Sequence, residues 1–192
     1  MGRRLAVSLC VAAGAMAAGC GNHRAKAPDF DTVQAPVGVR QFAYAQAGLR
    51  FAAPRNWAQQ PDSGPGVAIV SSGRASVVIR RYRRRERLPD TLAKLQDARG
   101  ALLDAVQARD RGLAVRSTRI LTMDGVPGIE LLADWTVDGH TSRVRSTHLF
   151  ARGAEYVFDA SAPEKVFARV DRTVFVPLLA SVRVSSAGAA GR

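Results

Sequence analysis

The stretch that most constrains this chain runs from Leu113 to Ala151. Three strand-length runs, Leu113 to Met123, Pro127 to Val137 and Thr141 to Ala151, are separated by short breaks that open with Asp124-Gly125 and Asp138-Gly139. Two-residue Asp-Gly loops suit the hairpin turn whose central residues both take positive φ, so the three runs are expected to pair as an antiparallel meander. A fourth run, Glu155 to Ala160, follows Gly153 and extends it. In the second run Ile129, Leu131, Ala133 and Trp135 fall on one face and Glu130 and Asp134 on the other, the alternation of a half-buried strand. Arg143, Arg145 and Thr147 alternate in the same way with Val144, Ser146 and Phe150.

Upstream, Phe42 and Tyr44 and then Leu49, Phe51 and Ala53 suggest two short strands, leading into a turn with Pro54, Trp57 and Pro61. Val67 to Ser71 and Ala75 to about Arg83 flank Ser72-Gly73-Arg74 and read as a hairpin. From Thr91 to about Ala108, Leu92, Leu95, Leu102, Leu103 and Val106 recur at helical spacing, with Asp90 placed to cap the first turn. A closing helix opens at Pro163 and carries Val166, Phe167, Val170, Val174 and Leu178 as its apolar stripe, with Pro177 expected to kink or split it. These elements predict an α+β domain: a twisted antiparallel sheet of six to eight strands packed against two main helices.

The ends read differently. Arg3 and Arg4 precede an apolar stretch from Leu5 to about Ala18, too short to span a membrane, and Met16-Ala17-Ala18-Gly19 leads directly to Cys20. This is the pattern of a bacterial lipoprotein signal, with residues 1–19 removed and Cys20 lipidated. The Arg pair is compatible with general or twin-arginine export. Cys10 would leave with the signal, so Cys20 would be the one thiol of the mature chain and no internal disulfide could form. Residues 20–40, polar and small with Pro28, Pro36 and Gly38, read as a flexible tether. Residues 41–184 read as a single domain and residues 185–192 as a frayed tail. The expected location is the extracytoplasmic face of the cell membrane, held by the lipid.

The order of elements resembles the PsbP-like fold. The resemblance is carried by Gly48-Leu49-Arg50-Phe51 with Pro54 and Trp57, by Gly125-Val126-Pro127-Gly128, and by Tyr156 to Pro163 followed by Phe167 and Leu178-Leu179-Ala180-Ser181-Val182. The sequence is most similar to actinobacterial lipoproteins of the LpqN type, over roughly residues 40–184. Such a resemblance implies an accessory or adaptor role, since relatives include a photosystem extrinsic subunit and a nuclear-transport GTPase binder, and it transfers no catalytic set. Fold alone does not fix function.

The formal charge is +12 at pH 7, and loss of Arg3 and Arg4 would lower it to +10, still enough to attract anionic surfaces. Arg80, Arg81, Arg83, Arg84, Arg85 and Arg87 concentrate it in eight positions interrupted by Tyr82 and Glu86. Guanidinium groups so placed suit anionic lipid, an envelope polymer or an acidic protein partner; the alternative is a solvated strand edge kept apart by charge. Nucleic acid is not expected outside the membrane, and Tyr82 alone offers a stacking surface.

His23, His140 and His148 have no partner at metal-ligand spacing, and no nucleophile elbow or phosphate-binding loop is present. His148 near Asp159 or Asp134 could suggest acid-base work, although neighbouring strands bring such pairs together by chance. No catalysis, metal or cofactor is therefore expected. The sequence points to a non-catalytic, membrane-tethered binding or adaptor module. The alternative is a carrier of lipid or a small hydrophobic ligand in a cleft lined by Phe42, Tyr44, Phe51, Trp57, Trp135, Phe150, Tyr156 and Phe158.

Overall fold

The structure, a computed structural model, describes residues 32–62, 64–109 and 112–185. Cys20, the signal and residues 186–192 lie outside the described residues. The strands in chain order are β1 (Val39–Tyr44), β2 (Leu49–Pro54), β3 (Ala58–Pro61), β4 (Gly66–Ser72) and β5 (Ala75–Arg83). Helix α1 (Leu92–Arg109) follows, then β6 (Leu113–Met123), β7 (Val126–Val137), β8 (His140–Ala151) and β9 (Ala154–Pro163). Helices α2 (Glu164–Val170) and α3 (Val176–Ala180) precede a final β10 (Arg183–Val184).

Among the described residues these strands form a seven-stranded sheet, β3-β4-β5-β9-β8-β7-β6, and a three-stranded sheet, β1-β2-β10, antiparallel throughout. The α+β architecture read from the sequence is the one observed. Its meander depends on the turns: Asp124 and Gly125 have φ of 50° and 76°, and Asp138 and Gly139 have 49° and 75°. The Arg152-Gly153 turn repeats this geometry at 54° and 67°. Asp and Gly enter this left-handed region more cheaply than most residues, which makes the first two turns readable in the sequence.

One face of the large sheet carries the main core. Phe51, Tyr156, Phe158 and Phe175 are fully buried there, between the large sheet, the small sheet and the α2–α3 segment. Trp57 meets Phe175 edge-on at 6.4 Å. Each such side chain contributes roughly 1.5–3 kcal/mol of apolar burial. On the opposite face α1 lies over β6 and β7 and covers Ile129, Leu131 and Ala133, yet Leu95 is its one buried residue among those described. The helix is a loosely seated cover.

Several local expectations are corrected. The Glu130 and Asp134 face of β7 does not look into water, because α2 and the segment after it pack against β8 and β9 there. A ladder of charges fills that interface instead. Arg145 bridges Glu130 at 2.6 Å and Asp171 at 2.7 Å, and Arg143 bridges Asp134 and Glu164, both at 2.8 Å. The hydrogen bonds to Asp171 and Glu130 outweigh burial and hold the Arg145 guanidinium above its ordinary range. The α1 cap is Thr91, whose Oγ1 accepts from the Lys94 amide at 3.3 Å; Asp90 instead pairs with Arg87 and Lys94. Pro163 ends β9, and α2 starts one residue later. Pro177 does not break the closing helix: Asp171–Phe175 forms a π-helical turn between α2 and α3. A widened turn is one way for a helix to accommodate the amide that proline lacks.

The expected tether is also shorter than residue 40. Gln34 donates its amide to Ser72 Oγ at 3.0 Å, Trp57 Nε1 donates to the Gln34 carbonyl at 3.3 Å, and Asn56 donates to the Ala35 carbonyl at 2.8 Å. Val33 is buried in the main core. The chain thus joins the sheet at the end that carries the Gly73-Arg74 and Asp138-Gly139 turns, termed here the entry end. At the opposite, distal end lie the Asp124-Gly125 and Arg152-Gly153 turns, and there Ser185 donates its amide to the Gly48 carbonyl at 2.8 Å.

Candidate functional site

Strand alternation divides the six arginines read from the sequence. Arg80 points to the α1 face and bridges Asp159 at 2.7 Å. Arg81 points to the opposite face, 5.7 Å from the centre of the Tyr156 ring, and donates to its hydroxyl at 3.3 Å. After β5 ends, Arg84 turns back onto Glu155 and Arg87 bridges Asp90 at 2.8 Å. Arg83 and Arg85 are exposed and make no ion pair among the described residues. The segment is therefore not one uniform basic surface. It is a distal-end projection in which three arginines answer carboxylates of the same chain, one packs on an aromatic ring and two have no ion-pair partner among the described residues.

Next to it lies a cleft of ≈ 500 Å³ between α1, the loop before it and the sheet. Leu88, Ala98, Leu102, Ile129 and Phe150 supply apolar wall, Arg87 and Lys94 stand at the loop and helix side, and Arg84, His148 and Glu155 form the polar part. Of the eight aromatics expected to line such a cleft, Phe150 does so. Phe51, Trp57, Tyr156 and Phe158 are core, and Phe42 and Tyr44 stack on Phe51 at 5.5 and 5.8 Å.

The polar part continues as a chain of hydrogen bonds across three strands. Arg84 Nε donates to Glu155 Oε2 at 3.0 Å, and His148 Nδ1 lies 2.6 Å from Glu155 Oε1. Ser146 Oγ lies 3.1 Å from His148 Nε2 and donates to Asp159 Oδ1 at 2.6 Å, and Asp159 closes the chain on Arg80. Burial raises the Glu155 carboxyl, but the hydrogen bonds and charges of His148 and Arg84 outweigh it and hold the group below its ordinary value. The partners named for His148 from the sequence, Asp159 and Asp134, are thus replaced by Glu155, with Asp159 reached through Ser146. The Arg152-Gly153 turn was the usable signal. A two-residue turn there sets Phe150 opposite Glu155, which puts His148 diagonally across from it on the same face.

Serine, histidine and carboxylate in this order invite comparison with a nucleophile, its base and an orienting group. The proton placement argues otherwise. Ser146 is buried and its hydroxyl donates to Asp159 Oδ1 at 2.6 Å, so its one proton is directed at a carboxylate and not at the imidazole. Ser146 does not line the cleft, and of the hydrogen-bonded chain only Arg84, His148 and Glu155 reach it. What the arrangement does chemically is tie β5, β8 and β9 together on a face where α1 provides little packing.

No protein-family model matches the sequence, and no curated protein matches it. Solved structures do. Cyanobacterial PsbP (CyanoP) from Synechocystis sp. PCC 6803 is similar with a TM-score of 0.61 and 15% identity, covering 77% of this chain and 92% of that one. LpqN, involved in cell envelope biogenesis of Mycobacterium tuberculosis, is similar with a TM-score of 0.53 and 13% identity, over 78% of this chain and 92% of that one. A protein of Bacteroides thetaiotaomicron reaches 0.53 at 10% identity, over 77% of this chain and 49% of that one. At these identities the likeness concerns architecture. The chain has a PsbP-like fold.

Proposed function

We propose that this chain is a non-catalytic binding module of the cell envelope, cleaved after Gly19, acylated on Cys20 and held on the extracytoplasmic face of the membrane. Its contact surface is the distal Arg-rich segment and its partner carries negative charge, as an anionic lipid, an envelope polymer or an acidic protein face does. The observation that carries this reading is that Arg83 and Arg85 stand exposed with no carboxylate partner among the described residues, while Arg80, Arg84 and Arg87 beside them are each paired. The envelope role stated for LpqN fits it, and so does the lipoprotein-like start of the sequence. No helix among the described residues is long and apolar enough to cross a membrane.

The test compares full-length protein with Arg83→Ser/Arg85→Ser, using polyglutamate and anionic vesicles as probes at rising salt. Arg169→Ser/Arg172→Ser, two exposed arginines outside both the distal segment and the entry end, removes the same charge elsewhere and serves as control. The reading expects the first variant to lose clearly more binding than the second, with the difference fading as salt screens exposed charge beyond about 8 Å. Equal losses would reduce the segment to general positive charge.

A second reading, a carrier of lipid or a small hydrophobic ligand, is favoured by the cleft under α1. Native mass spectrometry separates the two. A bound amphiphile that is lost when Leu102 and Ala98 are enlarged supports the carrier, and protein that remains empty after incubation with lipid supports the adaptor.

A further inference from the structure

Four of the seven most exposed large apolar side chains among the described residues lie at the entry end: Val37 at 64%, Val39 at 59%, Trp135 at 42% and Val137 at 46%. Register places them there. Trp135 and Val137 precede the Asp138-Gly139 turn, opposite Ser142 and His140. Val37 and Val39 are held beside the start of β3 by Arg55, which donates its amide to the Val37 carbonyl at 3.3 Å and Nε to the Val39 carbonyl at 2.9 Å. Exposed cations stand at the same end: Arg55, Arg74 on the β4–β5 turn and Lys165 at the start of α2.

We infer that the entry end is the surface that rests on the lipid bilayer, with Trp135 and Val137 at headgroup depth and Arg55, Arg74 and Lys165 beside anionic phosphates. The inference rests on the reading of Cys20 as the lipidated residue. Thr32 follows Cys20 by 12 positions, and that many residues span at most about 43 Å in any conformation. The docked segment delivers it at the entry end. Bringing the distal end to the same bilayer would require the tether to run back along the sheet, and β5 alone, with 9 residues, is about 27 Å long. Tryptophan favours the interface because its ring is apolar while its N–H still finds a polar partner, and basic groups near an anionic surface add attraction. Arg83 and Arg85 then face away from the anchoring membrane. Of the partner classes proposed above, an acidic polymer or protein beyond the membrane fits this orientation, and the anchoring bilayer does not.

The two tryptophans make the test direct, because Trp57 is buried and serves as an internal reference. Full-length lipidated protein is reconstituted into vesicles of phosphatidylcholine and phosphatidylglycerol with brominated acyl chains. Three chains are compared: wild type, Trp135→Phe, and Trp135→Phe/Tyr82→Trp, which moves the exposed probe to the distal end. The expected result is that wild type loses about half of its Trp135 emission to the bromolipid, and that neither of the other two chains is quenched beyond the Trp57 background. If wild type sediments with the vesicles but Trp135 is no more quenched than the probe at position 82, the orientation is wrong and the anchor stands. If wild type does not sediment with them, the anchor reading falls and the orientation with it.

Discussion

Replacing Glu155 with Gln probes the polar chain beneath α1 with little change of volume. Glu155 is buried, with one oxygen 2.6 Å from His148 Nδ1 and the other accepting from the Arg84 guanidinium. An amide keeps one acceptor but turns an NH₂ group toward one of these donors. The loss is one charge-assisted hydrogen bond, about 1.5–3 kcal/mol, plus the cost of leaving a donor short of its partner. The Arg84 side chain is 41% exposed and recovers water, so the upper range for a broken buried pair, about 3–5 kcal/mol, is not reached. About 2–3 kcal/mol is expected at pH 7.

The pH dependence has a definite sign. Because the folded state holds the Glu155 carboxyl below its ordinary value, its contribution is present above the unfolded pKa, about 4.3, and is lost as pH falls through the folded value. The gap between wild type and Glu155→Gln should therefore be full at pH 7 and narrow steadily below about pH 4. Urea unfolding followed by Trp57 fluorescence, with Trp135→Phe as the common background, measures both. A gap under about 0.5 kcal/mol at pH 7, or one that stays constant down to pH 3, would refute the reasoning.

Arg145→Met removes the cation shared by Glu130 and Asp171; Glu130 keeps Arg119 at 2.8 Å but the poorly hydrated Asp171 carboxylate loses its guanidinium, and urea unfolding should show a loss of about 3 kcal/mol. Gly128→Ala would bring a Cβ within 2.5 Å of the His148 carbonyl oxygen, a backbone atom that cannot give way cheaply, and a loss of at least about 1–3 kcal/mol should appear as a lower Tm. Thr91→Ala should cost about 1 kcal/mol through the lost α1 cap, while Asp90→Ala, which touches only exposed pairs, should change Tm less.

The parts of this fold that the sequence made legible are those written locally. The Asp-Gly turns demand a backbone that few residues enter easily, so the β6–β7–β8 meander could be placed almost to the residue. The Leu spacing of α1 fixed its ends to within one position. What escaped depends on distant partners. The pairing of β5 with β9 joins Ser76 to Ser161, and the β2–β10 pair joins Arg50 to Arg183; neither leaves a local trace. Glu130 and Asp134 alternate as a solvent face would, and only the packing of α2 and the following π turn against the sheet makes them buried acceptors for Arg143 and Arg145. The Arg run was visible as composition, but its division depends on where Asp159, Glu155 and Tyr156 fall on the next strand. Phe150 reached the cleft and the other seven candidate aromatics did not, because a cleft needs a loosely seated cover, and α1 shows an ordinary helical pattern in sequence.

The central claim is that the distal Arg segment is the surface through which this protein meets an acidic partner. Site-specific photocrosslinking of the full-length chain in intact cells tests it most directly, with the crosslinker at position 85 and, as control, at position 176, where Val176 is also exposed. The account predicts a discrete adduct from position 85 that disappears on Arg83→Ser and at high salt, and none from position 176. Adducts of equal yield and identity from both positions, or none from position 85 in cells where the protein is abundant, would contradict it.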